Sequence, residues 1–170
     1  MSEPTEGQPS AYARIQSKTT LAEILETASE FERTARDFYR DLAPKVSKNI
    51  RWLVDELAQE EQRHYDLFMN LAKTPGLEDQ LKEKVKTPPS NTRFSDHIHI
   101  PDLGEHPDDQ SILQYAMGRE KTAMEQYQSL AESAPEGPIR DLFVFLAKEE
   151  AEHKRELEKL YYEVVHSGGV

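Results

Sequence analysis

The feature that most constrains this chain is an apolar helical seam, present twice and broken both times by the same polar pair. In the second of four expected helices, residues spaced by fours and threes read Ile50, Val54, Leu57, Glu61, His64, Phe68, Leu71. In the fourth they read Ile139, Phe143, Leu146, Glu150, His153, Leu157, Leu160, Val164. Such seams pack helices into bundles. A Glu and a His three residues apart share one helix face. The chain therefore puts a carboxylate and an imidazole where a core should be, twice.

The two breaks belong to an internal repeat. Residues 28–35 (Ala-Ser-Glu-Phe-Glu-Arg-Thr-Ala) align with residues 116–123 (Ala-Met-Gly-Arg-Glu-Lys-Thr-Ala) at an offset of 88, and Tyr39 aligns with Tyr127. At an offset of 89, Leu57-Ala58-Gln59-Glu60-Glu61 aligns with Leu146-Ala147-Lys148-Glu149-Glu150, and His64 with His153. A near-constant offset over two helices reads as a duplicated hairpin. Two such hairpins pack about a pseudo-twofold axis, where matching residues meet.

Punctuation sets the elements. Thr20-x-x-Glu23 reads as a capping box, and periodicity predicts helices over 21–43, 47–72, 111–133 and 138–165. Pro44, Pro75-Gly76 and Gly168-Gly169 mark ends. Short connections make the first and second helices one antiparallel hairpin, and the third and fourth another. The connection over 73–110 is long and rich in proline. A 25-residue helix spans roughly 38 Å, which about 12 extended residues cross, so this segment returns along the bundle and leaves the second and third helices parallel. Residues 77–86 are expected to form a short helix within it. Residues 1–18 read as a loose tail and 19–166 as one domain. The expectation is an all-α, ferritin-like bundle of two hairpins.

The first and third helices each add a carboxylate beside their apolar faces, Glu32 and Glu120, and each is followed seven residues later by a tyrosine, Tyr39 and Tyr127. Four buried, uncompensated carboxylates would overwhelm a stability of about 5–15 kcal/mol. Two divalent cations carry +4 against four glutamates at −4, and two neutral imidazoles complete the set. Glu32, Glu61, His64, Glu120, Glu150 and His153 therefore read as one dinuclear site, suited to iron or manganese, with zinc allowed. A single Glu-x-x-His is ordinary surface chemistry or a satisfied core histidine; two copies in seams, each with a matching carboxylate, are not. Tyr39 and Tyr127 read either as core or as donors to the ligand carboxylates. Glu60 and Glu149 are expected to face solvent.

Composition closes off other classes. There is no cysteine, which excludes disulfides and thiolate-ligated metal from these residues. The net charge of −11 disfavours nucleic acid. No apolar run reaches membrane-spanning length, and residues 1–18 lack a signal-like apolar segment; a cytoplasmic location is the expectation.

The segments around Glu32, Tyr39, Leu57–His64, Glu120, Tyr127 and Leu146–His153 resemble the rubrerythrin branch of the ferritin-like superfamily. The resemblance covers about residues 21–165, the crossover apart. It implies two iron ions per chain that react with peroxide or dioxygen, the six residues above as ligands, and an electron donor outside the chain. Full-length rubrerythrins add a cysteine-ligated iron domain, which this cysteine-free chain lacks. They also carry a further glutamate one turn after the third-helix ligand, where this chain has Ala123 (repeat mate Ala35). The six-ligand set resembles a bacterioferritin-type ferroxidase centre. Cage-forming ferritins add a fifth helix; here the chain stops at Val170, so a homodimer is the expectation. The leading reading is a di-iron oxidoreductase that oxidises Fe(II). Its rivals are an iron-storage protein with little turnover, a hydroxylase with an apolar pocket lined by Phe38, Phe68 and Met124, and a metal-free interaction module. His97, His99 and His106, near Asp96, Asp102 and Asp108, read as ordinary loop chemistry or as a surface metal site.

Overall fold

A computed structural model describes residues 18–82, 84–86 and 107–166. The tail over 1–17 and the cluster of His97, His99 and His106 lie outside the described residues. Helix α1 spans Leu21–Leu42, α2 Lys48–Ala72, α4 Asp109–Ser133 and α5 Pro138–His166, with a single helical turn, α3, at Glu78–Leu81. Two three-residue strands, β1 (Lys18–Thr20) and β2 (Lys84–Lys86), pair antiparallel, with Thr19 opposite Val85.

The helix ends follow from local chemistry. Thr20 Oγ1 accepts from the Glu23 N–H at 3.2 Å and donates to the Glu23 carboxylate at 3.0 Å, so the cap forms through the side-chain pair. Pro44 lacks an N–H, and α1 passes into a 3₁₀ turn over Ala43–Lys45. Helix α4 starts two residues before the predicted 111, because the Asp108 carboxylate accepts from the Ser111 N–H at 2.7 Å. After α2 the chain turns at Gly76, whose φ of 88° suits glycine. The helix expected over 77–86 is corrected: it is one turn, and Lys84–Lys86 is a strand whose backbone pairs with the residues leading into α1. That pairing also draws Lys18, expected in the tail, into the fold.

The core consists of two apolar clusters. One joins the start of α1 (Leu21, Ile24, Phe31), the end of α2 (Phe68, Leu71), the end of α4 (Tyr127, Leu130) and the start of α5 (Ile139, Phe143, Leu146). The other joins the opposite ends: Phe38, Tyr39 and Leu42 of α1, Ile50 to Ala58 of α2, Ile112 to Ala116 of α4, and Leu157 of α5. This fixes direction. Helices α2 and α4 run parallel, and each hairpin is antiparallel. Ser47, before α2, donates its hydroxyl to Asp109, in the first turn of α4, at 2.9 Å. All four helices change from one cluster to the other at a common level, and the polar residues occupy that level.

Candidate metal centre

Between Phe31 and Ala35 of α1 sits Glu32. Between Ala58 and Phe68 of α2 sit Glu61 and His64, between Ala116 and Ala123 of α4 sits Glu120, and between Ala147 and Leu157 of α5 sit Glu150 and His153. Five of the six are at most 2 % exposed, and the His153 side chain is 14 % exposed. One ligand atom each from Glu32, Glu61, His64 and Glu150 lies within 4.8 Å of the others, and the same holds for Glu120, Glu150 and His153. Glu150 belongs to both sets. The imidazole rings stack with centroids 6.0 Å apart, so these repeat mates do meet near the pseudo-twofold axis.

The histidines present corresponding faces. His64 Nδ1 lies 2.9 Å from Glu150, 3.6 Å from Glu32 and 3.9 Å from Glu61. His153 Nδ1 lies 3.6 Å from Glu150 and 3.8 Å from Glu120. Yet Glu32 Oε2, Glu61 Oε2, Glu120 Oε1, both Glu150 oxygens and both Nδ1 atoms are buried without an aligned hydrogen bond. Buried polar atoms are ordinarily satisfied. A set of carboxylate and imidazole atoms this close, converging on one space, fits divalent cations of the iron and manganese type.

The protonation pattern of the bare cluster agrees. Burial, followed by the charge of Glu32, pushes Glu61 well above the usual carboxylate range. Burial and then Glu150 do the same to Glu120. Burial also pushes Glu150 up, but the adjacent Glu120 side chain and the charge of His64 outweigh it and hold Glu150 low. Burial opposes a charge on His153, but Glu120 and Glu150 raise it to about 11. His64 is likewise raised against burial by Glu150. The acidic layer thus favours bound positive charge, as protons or as cations.

Three features go beyond the sequence reading. Tyr127 donates its hydroxyl to a ligand carboxylate, as the second of its two expected roles has it, and the structure adds that the acceptor is Glu32 of the other hairpin. Its repeat mate Tyr39 is fully buried, with a hydroxyl lacking an aligned partner among the described residues. Glu60 and Glu149 do not simply face solvent: their side chains are 17 % and 31 % exposed, and each approaches a histidine of the opposite hairpin. Arg119 was missed by sequence reasoning. It is 2 % exposed, places its guanidinium 4.2 Å over the Phe31 ring and donates to the Phe31 carbonyl at 3.2 Å. The repeat carried a signal, because Arg119 occupies the place of core residue Phe31. Phe38 and Phe68 belong to the two core clusters.

A four-helix bundle of two repeated hairpins with a buried Glu/His layer at its mid-level defines the ferritin-like class. A model of the rubrerythrin family matches residues 7–105 and 111–167, and the chain belongs to the rubrerythrin family. Among solved structures, a Thermotoga maritima protein described as ferritin-like and diiron-carboxylate is similar, with a TM-score of 0.69 and 20 % identity, covering 86 % of this chain and 97 % of that one; at that identity the likeness concerns the fold. A search of curated proteins found no match. Among the described residues no helix is long and apolar enough to cross a membrane.

Proposed function

We propose that the buried layer holds two iron ions and that the protein is a di-iron oxidoreductase, oxidising Fe(II) with peroxide or dioxygen as electron acceptor. One observation carries this reading: six side chains from four helices, five of them buried and His153 nearly so, converge with unsatisfied oxygen and nitrogen atoms on a common space between two apolar clusters. Glu32, Glu61 and His64 would hold one ion, Glu120 and His153 the other, with Glu150 between them. When bound, a pair of ferrous ions supplies the two electrons that reduce one peroxide to water.

The residues of the chain supply the rest. The apolar clusters on either side exclude bulk water and hold the ligand side chains in place. Tyr127 keeps the Glu32 carboxylate oriented through its hydroxyl. Protons held by the raised groups of the layer would leave as cations bind, so binding would couple to pH. A reductant outside the chain resets the site. A homodimer in the cytoplasm completes the reading.

The test is metal content after anaerobic Fe(II) reconstitution and desalting, with rapid-mixing oxidation by peroxide on the same samples. We expect two irons per chain, both lost in the Glu61→Ala/Glu150→Ala double variant. Retention of no metal by the parent would sink the dinuclear reading. Iron oxidation as fast in His153→Ala as in the parent would sink the redox reading.

A further inference from the structure

Each histidine of the layer has a second nitrogen, and it points the other way. While the Nδ1 atoms face the buried carboxylates, His64 Nε2 lies 3.5 Å from Glu149 Oε2, and His153 Nε2 lies 3.9 Å from Glu60 Oε2. The pairing is crossed. Glu149 of α5 serves the histidine of α2, and Glu60 of α2 serves the histidine of α5. Glu60 and Glu149 are repeat mates, as are the two histidines, so one contact is the pseudo-twofold image of the other. Both glutamates stand at the rim of an open groove of about 490 Å³, together with Arg63, Leu67 and Phe145. His64 Nε2 is buried with no aligned hydrogen bond.

An imidazole that gives Nδ1 to a cation keeps its proton on Nε2, and that N–H needs an acceptor. We infer that Glu149 and Glu60 are positioning residues that accept the Nε2–H of His64 and His153 across the bundle and set the tautomer and ring orientation of each. The inference rests on the dinuclear reading above. The two halves are unequal. Glu60 is also paired with Arg63, whereas the place of Arg63 in the second hairpin is taken by Glu152. Glu60 therefore divides its charge between a cation and a histidine, and no such pair is found for Glu149 among the described ion pairs. His64 is also the more buried imidazole. The Glu149–His64 contact should be the stronger of the two.

The experiment compares Glu149→Ala, Glu149→Gln and Glu60→Ala in the full chain. It uses Co(II) as a spectroscopic probe for affinity and stoichiometry, and Zn(II)-loaded, ¹⁵N-histidine-labelled protein for ring N–H signals. We expect two Co(II) per chain throughout, affinity weakened about 10–100-fold in Glu149→Ala, a smaller loss in Glu60→Ala, and substantial recovery in Glu149→Gln, whose amide oxygen still accepts. The protected His64 Nε2–H signal should vanish in Glu149→Ala, and Glu60→Ala should instead weaken that of His153. If the parent binds no Co(II), the dinuclear reading falls and this inference with it. If the parent binds two ions and Glu149→Ala matches it in affinity and spectrum, this inference alone is overturned. It is overturned as well if Glu149→Gln is as weak as Glu149→Ala, or if the parent binds three ions and Glu149→Ala binds two, since a cation held by Glu60, His64 and Glu149 would then explain the contacts.

Discussion

The two tyrosines show how the same residue in the same repeat position takes on different energetics. Tyr127 donates to the buried Glu32 carboxylate, while the Tyr39 hydroxyl has no aligned partner among the described residues. Removing a donor from a buried charged acceptor costs about 1–3 kcal/mol. Tyr127→Phe should therefore lower the melting temperature of the metal-free protein clearly, and Tyr39→Phe only slightly; calorimetry of both variants checks this. Arg119 is the more exposed to substitution in energetic terms. Burial disfavours its charge, but Tyr39 and Glu61 outweigh burial and raise its pKa, so it is a permanent cation beside an acidic layer. Arg119→Leu should cost about 3–5 kcal/mol in the metal-free protein, measured by urea unfolding. Metal loading should shrink that loss, because cations then neutralise the carboxylates.

At the scale of elements, the helices owe their positions to local signals and their packing to the interrupted seams. The Thr20 cap is one such local signal, and Thr20→Ala should remove about 1 kcal/mol, seen as a lower urea midpoint with unchanged metal stoichiometry. The seams of α2 and α5 could be read residue by residue in the sequence, since a 3.6-residue period places Ile50 to Leu71 and Ile139 to Leu157 on single faces. The level of the polar layer was legible for the same reason: Glu61 and Glu150 interrupt otherwise apolar rows. The β1–β2 ribbon was not legible. Its pairing joins residues far apart in sequence through backbone groups, and three residues carry too little pattern to announce a strand.

For the whole molecule, the acidic layer makes stability depend on pH in a definite sense. His153 titrates at about 11 in the folded protein against an ordinary 6.5. A raised folded pKa means the folded state holds the proton more tightly, so this contribution is complete below about pH 6.5 and is lost as pH rises toward 11. Glu61 and Glu120, also raised, act in the same sense from a lower starting pH. Glu150, held low, contributes above the ordinary carboxylate range and loses that contribution on the acid side. The melting temperature of the metal-free protein should therefore fall between about pH 6.5 and 9. With divalent metal bound the fall should disappear, and loading in weak buffer should release protons, read with a pH indicator. A metal-free protein whose stability rises over that range would contradict the assigned protonation pattern.

The sequence by itself determined the helices, the duplicated hairpin and the candidate ligands Glu32, Glu61, His64, Glu120, Glu150 and His153. Periodicity, caps and repeat offsets are properties of neighbours along the chain, and these residues stand out because they violate the apolar pattern around them. Only the tertiary structure decided how the halves engage. It set Tyr127 against Glu32 of the opposite hairpin, turned Glu60 and Glu149 toward the histidines across the bundle, and buried Arg119 against Phe31. Those contacts depend on the rotation and separation of two packed hairpins. Periodicity says which side of a helix faces inward, and it leaves open which side chain of the other hairpin waits there.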